Sequence, residues 1–198
     1  MNDTELLESI SKYFHRLADP PEADIKRFVA QAKIRSLEPS ECFCNLGQKL
    51  HEVAYIQNGM VRYFVTLSDG EEATKDFSVA GTFTLSFGSA VARVPAQVAI
   101  AAVVPTELLV WPYQVLLDLF EANAEWQKLG RRIAEMLYIR KEQRELSFLQ
   151  LDAATRYKKF CEQFGPYMAQ IPQYYIASYL GIRPQSLSRL RKTLADSF

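Results

Sequence analysis

The chain is poor in the residues from which most catalytic and redox centres are built: its 198 residues include two histidines, His15 and His51, and three cysteines, Cys42, Cys44 and Cys161. An odd cysteine count without a paired framework argues against a disulfide scaffold and fits a reducing compartment. An iron–sulfur cluster takes about four thiolates, more than this chain holds. Cys42 and Cys44 stand two apart, so on a strand they share a face, and the reading adopted for them is ordinary thiols. A metalloenzyme of the cupin type needs three or more histidines and carboxylates converging on a metal, which two widely separated histidines do not provide. No catalytic residue, metal or required cofactor is therefore expected. Long apolar runs are missing too. The longest, Val98 to Val104, is of strand length and far short of the roughly 20 residues that span a bilayer. Met1 to Phe14 carries Asp3, Glu5 and Glu8 and lacks the basic-then-apolar order of a signal peptide, so a cytoplasmic protein without a membrane partner is expected.

Net charge is also lacking, at a formal zero, but the zero hides an asymmetry: residues 1–130 hold 11 Lys+Arg against 17 Asp+Glu, and residues 131–198 hold 12 against 6. A polyanion would meet the last third of the chain and be repelled by the rest.

What is present falls into three regions. Leu6, Leu7, Ile10, Phe14 and Leu17 recur at helical spacing until Asp19-Pro20-Pro21, and a second short helix runs from Glu22 to about Ala32. From Ile34 to Trp111 the pattern is short alternating segments broken by turn residues, as in an antiparallel jelly roll or similar barrel. Asn58-Gly59 between two apolar runs reads as a hairpin, and Asp69-Gly70 repeats the device. After Pro112 the helical period returns, and a helix from about Asn123 to Leu149 would be roughly 40 Å long. Its stripe of Trp126, Leu129, Ile133, Met136 and Leu137 either packs on the barrel or pairs with a second copy. The length and an Arg-rich opposite face favour pairing. Three further helices follow, Ala154 to Phe164, Gln173 to Leu180 and Pro184 to about Ala195, with Gly181 free to take positive φ in the last turn and Pro184 suited to open the final helix. On that helix Leu187, Leu190 and Leu194 share one face; Gln185, Ser188, Arg189 and Lys192 share the other, with Arg191 nearer the buried edge.

The segment Ile176-Ala177-Ser178-Tyr179-Leu180-Gly181-Ile182, followed by Leu187-Ser188-Arg189, resembles the helix-turn-helix of the Crp/Fnr family of regulators. Gly47, Tyr55-Ile56, Gly59-Met60-Val61-Arg62, Asp69-Gly70-Glu71 and the long helix extend the resemblance over nearly the whole chain. It implies an α+β protein: a cyclic-nucleotide-binding-like β-roll flanked by helices at 1–122, a dimerisation helix at 123–149 and a helix-turn-helix domain at 150–198. The chain stops almost where its last helix stops, so the family's wing is expected to be very short or absent. The implied partners are double-stranded DNA with a pseudo-palindromic operator and a second copy of the chain, with RNA polymerase a further candidate. The DNA-contacting set would be Arg183, Gln185, Ser188, Arg189, Arg191 and Lys192, with Arg189 at the family's base-contacting position.

One stretch departs from the family. Members that bind cyclic nucleotide carry Gly-Glu for the ribose and Arg-Ser or Arg-Thr for the phosphate, whereas this chain reads Gly81-Thr82-Phe83-Thr84-Leu85-Ser86-Phe87-Gly88 and then Arg93-Val94-Pro95-Ala96-Gln97. Thr84, Ser86, Arg93 and Gln97 are the candidate effector residues, Arg93 being either a phosphate partner or a surface-loop arginine. Cyclic AMP is not expected to bind, and the effector is unnamed. The alternative function is a ligand-binding or interaction module whose C-terminal helices merely pack, without binding DNA.

Overall fold

The computed structural model describes residues 3–49 and 51–195. Two helices, α1 (Asp3–His15) and α2 (Glu22–Ala30), precede eight strands: β1 (Lys33–Leu37), β2 (Cys42–Cys44), β3 (Glu52–Asn58), β4 (Met60–Thr66), β5 (Glu72–Val79), β6 (Phe83–Thr84), β7 (Ala99–Ala102) and β8 (Thr106–Pro112). A short helix, α3 (Phe87–Ala92), interrupts them between β6 and β7. Helices α4 (Tyr113–Ala122), α5 (Ala124–Gln150), α6 (Ala153–Phe164), α7 (Gln173–Leu180) and α8 (Pro184–Ala195) complete the chain. The architecture is the expected α+β roll with flanking and C-terminal helices.

The strands form two four-stranded antiparallel sheets, ordered β1-β8-β3-β6 and β2-β7-β4-β5. Between them lie Leu37, Phe43, Ala54, Ile56, Val61, Ile100, Leu108 and Val110. The first sheet is buried on its other face as well, because alternation turns Val53, Tyr55, Leu109 and Trp111 toward α1, α2, α4 and α5. Phe28 stacks on Trp111 with ring centroids 4.4 Å apart, and the indole nitrogen of Trp111 donates to the Phe28 carbonyl at 2.6 Å. The large ring is thus buried with its one polar atom satisfied.

Two sequence expectations fail here for a common reason. Asn58-Gly59 does not close a hairpin: β3 pairs with β6 and β8, while β4 pairs with β5 and β7. The dipeptide is a corner at which the chain leaves one sheet for the other. Gly59 has φ of 92°, and a Cβ there would stand 2.5 Å from Thr106 Oγ1 and 2.6 Å from the Pro105 carbonyl oxygen. Any side chain would collide with backbone that cannot retreat. Similarly, Cys42 and Cys44 do not share a face, because a register shift between them sends Cys42 toward Phe64, Ala99 and Ala101 and leaves Cys44 between the sheets. Asp69-Gly70, by contrast, does join paired strands, with Thr66 opposite Glu72.

The long helix α5 starts at Asn123, whose side chain accepts the Glu125 N–H at 2.8 Å. Trp126 and Leu129, expected in a seam between two copies, are 0% exposed within the single chain and pack with Phe14, Phe28 and Leu116. Ile133 is half-buried against the same cluster, and Leu137 is half-buried. The inward stripe therefore belongs to the core of the roll. Its continuation, Arg140 and Arg144, also turns inward and is not a free basic face: Arg140 donates to Asp76 Oδ1 at 2.8 Å and to the Phe77 carbonyl at 3.0 Å. The outward non-aromatic apolar positions are Met136, Ile139, Leu146 and Leu149, at 40%, 51%, 41% and 83% exposed, and the rings of Tyr138 and Phe148 are exposed as well. Of the expected seam residues, Met136 alone lies on this outer stripe.

Candidate nucleic-acid interface

The C-terminal helices are ordered by ordinary capping and burial. Asp152 caps α6 by accepting the Thr155 N–H at 2.8 Å. A 3-10 turn at Gly165–Tyr167 leads toward α7, and among the described residues from 153 to 195 there is no strand. α7 ends at Gly181 with φ of 68°, where the Ile182 N–H bonds to the Ala177 carbonyl at 3.0 Å. A Cβ at Gly181 would meet the Phe148 ring at 2.9 Å, so α5 also limits this position. Pro184 is the first residue of α8.

Leu187 of α8 is fully buried with Tyr157, Phe160, Ile176, Ala177 and Leu180, and Leu190 packs partly against them. The side chain of Leu194 lies outside the described residues. This anchoring leaves Arg183, Gln185, Ser188, Arg189, Arg191 and Lys192 all exposed, on one helix and the turn before it. Arg191 follows the partly buried Leu190 on the helix and is itself exposed. Residues 153–195 hold seven Lys+Arg against one Glu, so the described C-terminal helices carry an excess of positive charge.

The helix pair is seated on the roll through residues to which the sequence alone assigned no such fastening role. Arg62, in the middle of apolar β4, is 3% exposed. It ion-pairs with Glu72, donates to Thr74 Oγ1 at 3.3 Å, and lies 3.6 Å from the centre of the Tyr175 ring and 4.1 Å from that of Phe64. Ser178 Oγ accepts the Thr74 N–H at 2.8 Å and donates to the Glu72 carbonyl at 3.3 Å. Phe77 of β5 inserts among Phe160, Phe164 and Tyr179, with centroids 5.6 to 5.9 Å apart. From α5, Arg144 donates to the Tyr179 carbonyl at 2.8 Å. The available sequence signal was a lone charge inside an apolar strand.

The four candidate effector residues do not form one pocket. Thr84 is fully buried and shares a 2.6 Å hydrogen bond with the Tyr63 hydroxyl, which also bonds Ser78. Burial raises the Tyr63 pKa, so the phenol stays a neutral plug there. Ser86 and the Gln97 backbone N–H both bond to Ser89 Oγ, at one end of α3. Arg93 sits at the other end, exposed, with φ of 55°. Its side chain has no hydrogen-bond or ion-pair partner among the described residues. The surface-loop alternative for Arg93 is the one its position fits.

Cys42 and Cys44 have thiols raised by burial, Cys44 to about 11, so neither is a thiolate at neutral pH.

The class of fold is a two-sheet antiparallel roll carrying a long helix and three C-terminal helices, the last two joined by a tight turn. Within it, residues 34–123 match the family model of the cyclic nucleotide-binding domain, and the chain as a whole has the fold of Crp/Fnr-type regulators. FixK2 from Bradyrhizobium japonicum is 20% identical with a TM-score of 0.72, covering 84% of this chain and 85% of that one. A putative transcriptional regulator of the Crp/Fnr family from Eubacterium rectale is 14% identical with a TM-score of 0.70, covering 88% and 83%. The c-di-GMP-responsive global regulator CLP from Xanthomonas campestris is 16% identical with a TM-score of 0.66, covering 89% and 93%. No curated protein sequence matches the chain. Among the described residues no helix is long and apolar enough to cross a membrane.

Proposed function

We propose that the chain is a sequence-specific DNA-binding transcription regulator of the Crp/Fnr type that acts as a homodimer. The observation that carries this reading is α8: a buried Leu187 holds it on α6 and α7, while its outer face presents Gln185, Ser188, Arg189 and Lys192 to solvent. An exposed helix with polar and basic residues early in its length fits the major groove and reads base edges there. If the C-terminal helices served packing alone, nothing in the fold would call for this concentration of positive charge on their outer side.

Dimerisation is supported by the outer stripe of α5, in which Met136, Ile139 and Leu146 recur at three and seven residues and leave apolar surface uncovered. Paired half-sites need a two-fold protein. The roll would serve as a sensor whose effector is not cyclic AMP, since Thr84 is sealed by Tyr63 and Arg93 stands apart from it at the far end of α3.

The experiment is selection of bound duplexes from a random DNA pool by the purified full chain, followed by titration at several salt concentrations. The expected result is an enriched palindromic site, and an affinity that falls steeply with salt. Failure to enrich any site, together with no retention on random duplex at low salt, would leave the interaction-module alternative in its place.

A further inference from the structure

A cavity of about 330 Å³ lies beneath the roll, and neither α8 nor Thr84, Ser86, Arg93 or Gln97 contributes to its lining. Its walls are Phe83, Leu85 and Phe87 on the sheet side, Leu116 and Phe120 of α4, and Ile133 of α5. Gly130, interior to α5, is also in the lining and lets the Phe120 ring lie close to bare helix backbone. A Cβ there would press on that ring at 3.1 to 3.3 Å. A glycine inside a long helix weakens it, so this position carries a cost in exchange for the ring's placement.

Three residues with polar side chains, Tyr113, Gln127 and Arg131, are among those that line the cavity. The Tyr113 hydroxyl has no hydrogen-bond partner among the described residues. Among the described residues Arg131 pairs with Glu135 alone, one turn on, and both are exposed. Such a surface pair is weak and exchanges readily for another carboxylate. A mostly apolar hollow with a few polar residues in its lining is the usual form of a small-molecule site.

We propose that this cavity binds a small apolar carboxylate, its tail among the phenylalanines and its head group on Arg131, Gln127 and Tyr113. At roughly 30 Å³ for each water-sized unit, about 330 Å³ accommodates about ten non-hydrogen atoms, the size of a medium-chain or aryl acid. Burial raises the Tyr113 pKa, which keeps its hydroxyl protonated and able to donate to a carboxylate. The proposal does not rest on the DNA-binding reading.

The test is calorimetric titration of the full chain with octanoate and, in parallel, with 1-octanol. Octanoate should bind saturably with a sub-millimolar dissociation constant. Arg131→Gln, on an exposed position that leaves the fold intact, should weaken octanoate about tenfold and octanol less than twofold. Leu85→Trp should abolish binding of both while preserving a cooperative thermal transition. No saturation by octanoate up to 10 mM, or the same octanoate affinity in Arg131→Gln as in the unmutated chain, would overturn the proposal, whether or not Leu85→Trp folds.

Discussion

Replacing Arg62 with Met keeps an unbranched apolar stem while removing the guanidinium that joins β4 and β5 to α7. The pair with Glu72 is half open to solvent, because the carboxylate is 42% exposed, so after screening it contributes about 1 kcal/mol. The contacts with the Tyr175 and Phe64 rings, at 3.6 and 4.1 Å, are desolvated and add about 1–2 kcal/mol together. The thioether recovers part of this by burying without a desolvation cost. A net loss of about 2 kcal/mol is expected, concentrated where α7 meets the roll. Urea unfolding followed by tryptophan fluorescence gives the global value, but Trp111 and Trp126 both sit in the other cluster and report on α1, α2 and the first sheet. The Thr74 amide is the better probe, since its hydrogen is held by Ser178 of α7. Its exchange should accelerate by at least tenfold in Arg62→Met. A double-mutant cycle with Tyr175→Leu should show a coupling of about 1 kcal/mol. If the Thr74 amide exchanges at an unchanged rate and stability moves by less than about 0.5 kcal/mol, Arg62 is a satisfied buried charge and not a fastening.

Ile139→Asp combined with Leu146→Asp should convert the protein to a monomer by light scattering with little loss of secondary structure, whereas Ile133→Asp should unfold it, because Ile133 packs on the roll. Arg189→Ala should lose about 1–3 kcal/mol per half-site on the selected operator while retaining most non-specific affinity, and Lys192→Ala should weaken all duplexes alike and lower the salt slope by about 1 per site; gel shifts at matched salt separate the two. Calorimetry with cyclic AMP should detect no micromolar binding, and a tight isotherm would reopen Arg93 as a phosphate ligand. For Cys44, with its thiol pKa at about 11 against an ordinary value of 9.0, the folded state holds its proton longer than the unfolded chain does. That contribution is complete below about pH 9 and lost as pH rises toward 11, amounting to about 2–3 kcal/mol, and Cys44→Ala should flatten the alkaline stability curve by that much in urea titrations.

The C-terminal helices were legible because their signals are local. Gly181 needs left-handed backbone, Pro184 needs a helix start, and Leu187 marks the buried face; each is settled within one turn of chain. Asn58-Gly59 carries an equally local signal, yet strand pairing is decided by residues far along the chain, and β3 finds β8 on the other side of the roll. The α5 stripe failed for a related reason. Periodicity shows that Trp126, Leu129 and Ile133 share a face but not what covers it, and here α1 and α2 cover it before any second copy can. The aliphatic stripe left outside is interrupted by Gln143 and is the weaker of the two by hydrophobicity alone. Thr84 was chosen for its hydroxyl, and only the fold reveals that Tyr63 already occupies it.

In the proposed regulator the contacts of β5 are the ones that would link the roll to α8. Strand β5 meets the long helix and the helix-turn-helix at adjacent residues: Asp76 and the Phe77 carbonyl receive Arg140, while the Phe77 ring fills the space among Phe160, Phe164 and Tyr179. Arg144, one turn after Arg140, then closes the circuit by donating to the end of α7. A shift of β5 cannot be absorbed by one neighbour alone, because the interior around Phe77 is close-packed and both arginines are fixed at two ends. Helix α8 has no hydrogen bond to the roll among the described residues and follows α7 through Leu187 and the Gly181 turn. In the proposed regulator the orientation of α8 would follow β5 by way of α7, so a ligand that displaced the strands would move the basic face without touching it.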